Sequence, residues 1–102
     1  MATVMLMHWR GVSPEQYEEA RSQVNWEGNV PDGAMLHVAC FDDDGIRVTD
    51  VWESQSDFER FAAERLMPVT KEIGMEGEPE VSFHPLQAIF NPRVPATVPA
   101  AA

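Results

Sequence analysis

The sequence has little positive charge and no long apolar run, and each shortage excludes a class of partner. Seven Lys and Arg stand against seventeen Asp and Glu, giving a net charge of −10. Nucleic acids and anionic membranes both require a basic face, so neither is an expected partner. No apolar run approaches the roughly 20 residues of a membrane span. The start "MATVMLMHWR" lacks a basic leader, and we interpret it as a strand, not a signal peptide.

Cysteine is also scarce, which excludes a second group of functions. A single residue, Cys40, allows neither an internal disulfide nor a thiolate cluster, and its place in "MLHVACF" predicts a small buried hydrophobe. The lack of disulfides fits a cytoplasmic location. No His-x-x-x-His or Cys-x-x-Cys spacing occurs, so no metal site is predicted. Flavin, phosphate-loop and nucleophile-elbow motifs are absent too, so no cofactor is expected.

What remains is the sequence of one compact α+β domain. Hydrophobic residues make up 44% of 102, enough for a core. Strand patterns are predicted at Ala2–Trp9, Ala34–Phe41, Ile46–Glu53 and Glu80–Phe90. With two helices between them, the order is β-α-β-β-α-β, a ferredoxin-like arrangement with a four-stranded antiparallel sheet. Residues 1–91 form the domain, and the Pro/Ala-rich residues 92–102 are predicted to be a tail or dimer arm.

Each helix has a start signal. Ser13 is predicted to cap the first, in a Ser-x-x-Gln capping box with Pro14 at the first helical position. Ser56 is predicted to cap the second, with Glu59 completing Ser-x-x-Glu. Pro68 lies inside the second helix and is expected to kink or divide it near Met67.

Two further features concern the sheet. Pro85 places the last strand at an edge or a bulge, because proline cannot donate to a strand ladder. The strands look apolar on both faces, whereas two helices cover only one. We therefore expect a homodimer that packs through the sheet face, the rival being a monomer with one exposed apolar face.

One polar residue stands out in the third strand. Alternation places Ile46, Val48, Asp50 and Trp52 on one face, which is the more apolar face and is predicted to lie under the helices. A carboxyl group there resists ionisation unless a cation or several donors reach it. Asp50 is therefore a candidate general base or acid, and the alternative is a structural hydrogen-bonding role.

The histidines are the candidate partners of Asp50. A two- or four-residue turn in "DDDG" brings His37 to the Asp50 face, whereas a three-residue turn with Gly45 in a bulge, which the motif suits well, turns it away. The sequence does not decide which face of the sheet His8 occupies. We predict Asp50, His37 and His8 as catalytic residues. Candidate substrate-binding residues are Trp52, Phe58, Phe61, Tyr17 and Leu66.

The stretch "VTDVWESQSDFERF", the later "RLMP" and the βαββαβ order resemble the dimeric α/β-barrel superfamily, in its antibiotic biosynthesis monooxygenase-like branch. The resemblance covers about residues 2–91 and implies a homodimer with a small-molecule pocket between sheet and helices. Phe58 matches a Phe of the haem-degrading branch and Phe61 takes the place of its Trp. The ligating His of that branch is missing from "ERLMPVTKEIG", so haem degradation is not expected.

The resemblance also implies a reaction class. Other branches oxidise polycyclic phenols without a cofactor, and still others are isomerases or cyclases that use His and Tyr. The sequence thus favours a cofactor-free monooxygenase-like enzyme for a small apolar aromatic or polyketide-like substrate. The alternatives are an acid–base isomerase or cyclase, and a non-catalytic ligand-binding or structural homodimer. A purely structural dimer predicts a filled core, whereas an enzyme predicts a cavity beside Asp50.

Overall fold

The computed structural model describes residues 1–92, so most of the predicted tail, residues 93–102, lies outside the described part. Its strands are β1 (Thr3–Arg10), β2 (Ala34–Phe41), β3 (Gly45–Trp52) and β4 (Glu80–Pro85). Its helices are α1 (Pro14–Val24), α2 (Gln55–Phe61) and α3 (Met67–Glu72), the last two joined by a π-helical turn (Ala62–Leu66). The predicted βαββαβ order is confirmed. Within residues 1–92 no helix is long and apolar enough to cross a membrane.

The strands form one antiparallel sheet in the order β2-β3-β1-β4. This is the ferredoxin-like topology, with the two central strands β1 and β3 paired to each other. β4 lies at an edge, as Pro85 predicts, and it ends at that proline five residues before the expected Phe90. At the edge the missing N–H of Pro85 leaves no ladder partner unpaired.

The β2–β3 hairpin decides which side chains face the helices. Phe41 lies opposite Ile46, and the register continues unbroken to His37 opposite Asp50. The four residues 42–45 therefore connect the paired positions, and the bulged three-residue turn that "DDDG" suits is wrong. The Asp42 side chain accepts hydrogen bonds from the N–H groups of Asp44 and Gly45. These bonds close the turn without a bulge.

Gly45 is required at this turn for space as well as conformation. Its φ is +153°, and a Cβ there would collide with the backbone carbonyl of Trp9 on β1. A larger residue would push the hairpin away from β1 and disturb the register that places His37 against Asp50.

The first helix begins as predicted, and the second does not. Ser13 and Gln16 form both bonds of the capping box of α1. In α2 the cap is Ser54, not Ser56: its Oγ accepts from the Asp57 N–H at 3.1 Å. The earlier start follows from β3, which ends at Trp52, so that the chain turns at once and seats Phe58 on the indole of Trp52.

Pro68 changes the helical register without breaking the helix. Proline has no N–H and its ring crowds the carbonyl four residues earlier. The turn before it widens to the π form, in which the Met67 N–H bonds to Ala62 five residues back. The helix is thus divided at Met67, as predicted, but it continues into α3. The π turn contains one more residue than an α-helical turn, which rotates the side chains that follow it around the helix axis. Thr70 thereby becomes one of the most buried side chains.

The core lies between the sheet and the helices. Its buried members are Met5, Trp9, Val12, Val24, Ile46, Val48, Trp52, Phe58 and Phe61. The predicted face of β3 is therefore the helix-covered one. The other face carries Leu6, 42% exposed, and Val38, 50% exposed, which both pair with Thr49. Cys40 lies on that face too and is exposed, so its predicted burial is wrong.

Candidate functional site

Asp50 lies at the floor of a cavity between the sheet and the helices. It is 5% exposed, and two N–H donors reach its carboxylate. The His37 Nδ1 lies 2.6 Å from Oδ1, and the Trp52 indole Nε1 donates to Oδ2 at 3.0 Å. His37 comes from the paired position on β2, and Trp52 from two residues along β3 on the same face. Both carboxylate oxygens are therefore engaged by neighbours that the strand register supplies.

The hydrogen-bonded chain continues outward from His37 to Tyr17 on α1. The Tyr17 hydroxyl lies 2.8 Å from His37 Nε2, and the two rings stack nearly parallel with centroids 6.1 Å apart. A carboxylate can only accept, so Nδ1 of His37 carries a proton and Nε2 of the neutral ring accepts from the Tyr17 hydroxyl. The order of donation is Tyr17 to His37 to Asp50.

Tyr17 is the protonated member of this chain over a wide pH range. Burial of its ring raises the pKa of Tyr17 to about 12, while the nearby Arg21 guanidinium acts in the opposite direction. Near neutral pH the phenol therefore stays protonated, and its O–H donates a hydrogen bond to His37. The group able to take up a proton from outside is the His37 ring, with Asp50 behind it to stabilise the resulting imidazolium.

The cavity has a volume of about 290 Å³, and its walls are predominantly apolar. Its aromatic and sulfur-containing lining includes Met5, Met7, Trp9, Trp26, Trp52, Phe58, Phe61 and Met75. Its ionisable lining residues are Tyr17, Glu27, His37 and Asp50, and Tyr17 and Trp26 lie against each other at the α1 side. The ionisable lining groups are thus few, which is typical of a site for a largely apolar ligand with one polar end.

All five predicted substrate-binding residues line this cavity: Tyr17, Trp52, Phe58, Phe61 and Leu66. Phe58 and Phe61 both pack on Trp52, with centroids 5.6 and 5.4 Å away. This packing fixes the indole whose N–H holds Asp50. The aromatic helix residues therefore contribute to the position of the carboxylate as well as to the wall.

The structure separates His8 from the other two predicted catalytic residues. On β1 the side chains of Met5, Met7 and Trp9 face the cavity, so alternation turns His8 to the opposite face, across from Arg47. A role of His8 beside Asp50 is therefore wrong. What sequence reasoning missed is the direct Tyr17–His37 bond. It depends on how α1 docks on the sheet, which the local pattern does not contain.

No protein-family model and no curated protein matches the chain. SnoaB, a cofactor-independent oxygenase from Streptomyces nogalater, has a TM-score of 0.60 at 16% identity, with 90% of this chain and 97% of that one covered. The monooxygenase of the gene ActVA-Orf6 of Streptomyces coelicolor, solved with nanaomycin D, has a TM-score of 0.56 at 16% identity, covering 90% and 92%.

A protein of unknown function from Nitrosomonas europaea has a TM-score of 0.62 at 12% identity, with 90% and 94% covered. At such identities the likeness concerns the fold. The structural neighbours agree with the resemblance carried by "VTDVWESQSDFERF". The chain has the fold of the antibiotic biosynthesis monooxygenase-like proteins.

Proposed function

We propose that the protein is a cofactor-free monooxygenase-like enzyme that acts on a small, largely apolar aromatic or polyketide-like substrate with an acidic hydroxyl group. The observation that carries the proposal is the Tyr17–His37–Asp50 chain of hydrogen bonds inside an apolar cavity. The fold, shared with a cofactor-independent oxygenase, supports the same reaction class. The cavity itself argues against a purely structural dimer, for which a filled core is expected.

In the proposed mechanism the substrate hydroxyl binds at the Tyr17 oxygen. Its proton passes to Tyr17 as the Tyr17 proton passes to Nε2 of His37, and Asp50 stabilises the imidazolium. Asp50 thus acts through His37, because it lies behind the ring. The Trp52 N–H keeps the carboxylate from rotating away from Nδ1. The largely apolar walls offer the substrate ring few polar partners, so the anion remains electron-rich.

The oxidation then draws its electrons from the substrate. The anion transfers an electron to dioxygen, and the two radicals combine into a peroxide at a carbon conjugated with the deprotonated oxygen. The peroxide takes up a proton and then collapses to a carbonyl with loss of water. For a methylene carbon the balance is one CH₂ and one O₂ to one C=O and one H₂O. One oxygen atom enters the product, and the imidazolium returns its proton in the last step.

The test is oxygen uptake with a hydroxyanthrone, comparing the wild type with Asp50→Asn. If the asparagine oxygen accepts from the Trp52 N–H, the asparagine NH₂ points at Nδ1 of His37. Nδ1 must then be the acceptor, so the ring proton moves to Nε2, which can no longer accept a proton. We expect turnover to fall by about 10²–10⁴-fold, the contribution typical of acid–base groups, with circular dichroism unchanged.

His84→Gln is the matched control, because His84 is exposed on β4 and, within residues 1–92, its side chain bonds only to Ser82. Its oxygen uptake should equal that of the wild type. Normal turnover by Asp50→Asn would refute the mechanism. Conversion of the substrate without oxygen uptake would favour the acid–base isomerase or cyclase, in which the same His37 moves a proton within the substrate.

We further propose that two copies pair through the helix-free face of the sheet. The support is the row formed by Leu6, Thr49 and Val38 on adjacent strands, in which all three residues are exposed. Exposed apolar side chains such as Leu6 and Val38, close together on one face of a sheet, are typical of an interface.

A further inference from the structure

His8 is a buried histidine without a hydrogen bond at Nε2. Its side chain is 9% exposed, and within residues 1–92 no partner reaches Nε2. Leaving a buried polar atom unpaired costs about 1–3 kcal/mol, so the position calls for an explanation. The nearest charged atom is Oδ2 of Asp42, 3.6 Å away, too far for a hydrogen bond.

Asp42 belongs to a firmly held turn. Its Oδ1 accepts from the N–H groups of Asp44 and Gly45, and its own N–H donates to the Gly45 carbonyl at 2.9 Å. The Asp44 carbonyl accepts from the Gly11 N–H at 2.8 Å, which ties the turn to the end of β1. The Asp42 carboxylate is therefore held beside His8 by two backbone N–H groups, and the backbone of Asp44 is fixed next to it. Such preorganisation favours ligand binding.

The three side chains offer one nitrogen and two oxygens within 4.8 Å of one another. Two ligands at about 2.0–2.1 Å from a tetrahedral zinc lie about 3.4 Å apart, close to the 3.6 Å between His8 and Asp42. We propose that His8, Asp42 and Asp44 bind a divalent cation of the zinc class, with the remaining position open to water. The buried imidazole makes a mixed nitrogen–oxygen set, which suits zinc better than calcium or magnesium.

Arg47 is the competing cation at this site. Its Nε lies 2.5 Å from Oδ2 of Asp42, and chiefly this bond, with those from the Asp44 and Gly45 N–H groups, lowers the pKa of Asp42 to about 2. The carboxylate is consequently ionised throughout the physiological range. A metal must share or displace Arg47, whose side chain is 55% exposed in the single chain and lies at the hairpin end of the helix-free face. The affinity should therefore rise when Arg47 is made neutral.

The experiment is calorimetric titration of the untagged full chain with Zn²⁺, with Co²⁺ as a spectroscopic probe. We expect one zinc per chain. His8→Gln should weaken binding by at least about tenfold, and so should Asp44→Asn, which alters an exposed side chain and leaves the core intact. Arg47→Gln should tighten binding.

His84→Gln provides the control, since it removes an exposed histidine on another strand and should leave zinc binding unchanged. Absence of saturable zinc binding by the wild type overturns the proposal. Equal affinity in the wild type and in Asp44→Asn also overturns it, as does loss of binding in His84→Gln. None of these outcomes bears on the oxygenase proposal, because the site lies on the opposite face of the sheet.

Discussion

Tyr17 is the residue whose ionisation reports most directly on the proposed site. It is the only tyrosine in the chain, so the near-ultraviolet absorbance of phenolate follows this group alone. Its hydroxyl is hydrogen-bonded to His37, and its ring packs against Trp26 and His37. These contacts bury the side chain, and the burial raises the pKa of Tyr17.

We expect Tyr17 in the folded protein to ionise near pH 12, and in urea near its ordinary value of about 10. Because the folded pKa is the higher one, this group contributes stability that is fully present below pH 10 and is lost between about 10 and 12. A spectrophotometric titration of both states measures the difference. Coincident midpoints would show that the phenol is solvated and not packed on His37.

Asp50 shows how far residue-level prediction reaches. The alternation of Ile46, Val48, Asp50 and Trp52 placed the carboxylate in an apolar layer correctly, because strand parity is a local property. Its partner His37 depended on the length of the turn. The two-, three- and four-residue turns differ by one residue each, and the observed one is held by the two bonds that Asp42 Oδ1 accepts from the Asp44 and Gly45 N–H groups, so the sequence left all three open.

The elements are largely determined by their end signals, and α2 shows the limit of that reasoning. "SQSD" offers two serines two residues apart, Ser54 and Ser56, and each has an acidic residue at the right spacing. The choice falls on Ser54 because Phe58 and Phe61 must both reach Trp52. That is a tertiary requirement which the helix pattern does not contain.

The cap assignment gives a prediction with an internal control. Ser54→Ala removes the bond to the Asp57 N–H and the bond from Ser54 Oγ to the Asp57 carboxylate, 2.8 Å away. We expect the free energy of unfolding to fall by about 1 kcal/mol. Ser56→Ala, two residues later and exposed, removes only the 3.0 Å contact between the two serine hydroxyls and should change it by less than about 0.5 kcal/mol. Urea unfolding of both variants decides; a larger loss in Ser56→Ala would mean that the helix begins later.

At the scale of the whole molecule, the sheet divides the protein into two surfaces with different proposed roles. One face meets the helices and encloses the cavity, and the other bears Leu6 and Val38. The sequence predicted that both faces are apolar. It could not show that the helices stand far enough from the sheet to leave about 290 Å³ open, because that separation depends on the packing of many side chains.

If the helix-free face is the dimer interface, a charge placed in its centre should dissociate the dimer. We expect the wild type to sediment as a dimer, and Val38→Glu to sediment as a monomer, because the carboxylate would be buried without a partner. Glu64→Gln, an exposed change on the helical side, should leave the dimer intact. A monomeric wild type would refute the dimer, and a dimeric Val38→Glu would place the interface elsewhere.

The central claim is that His37, held by Asp50, takes a proton from a ligand hydroxyl inside the cavity. The most direct measurement is an anaerobic titration with a chromophoric phenol, 4-nitro-1-naphthol, whose spectrum distinguishes the phenol from the phenolate. Buffered below the pKa of the free phenol, the wild type should bind the probe and shift it to the phenolate. Asp50→Asn should bind it with similar affinity and leave it protonated. Ionisation of the bound probe to the same extent in both proteins, or binding without ionisation by the wild type, would contradict the account.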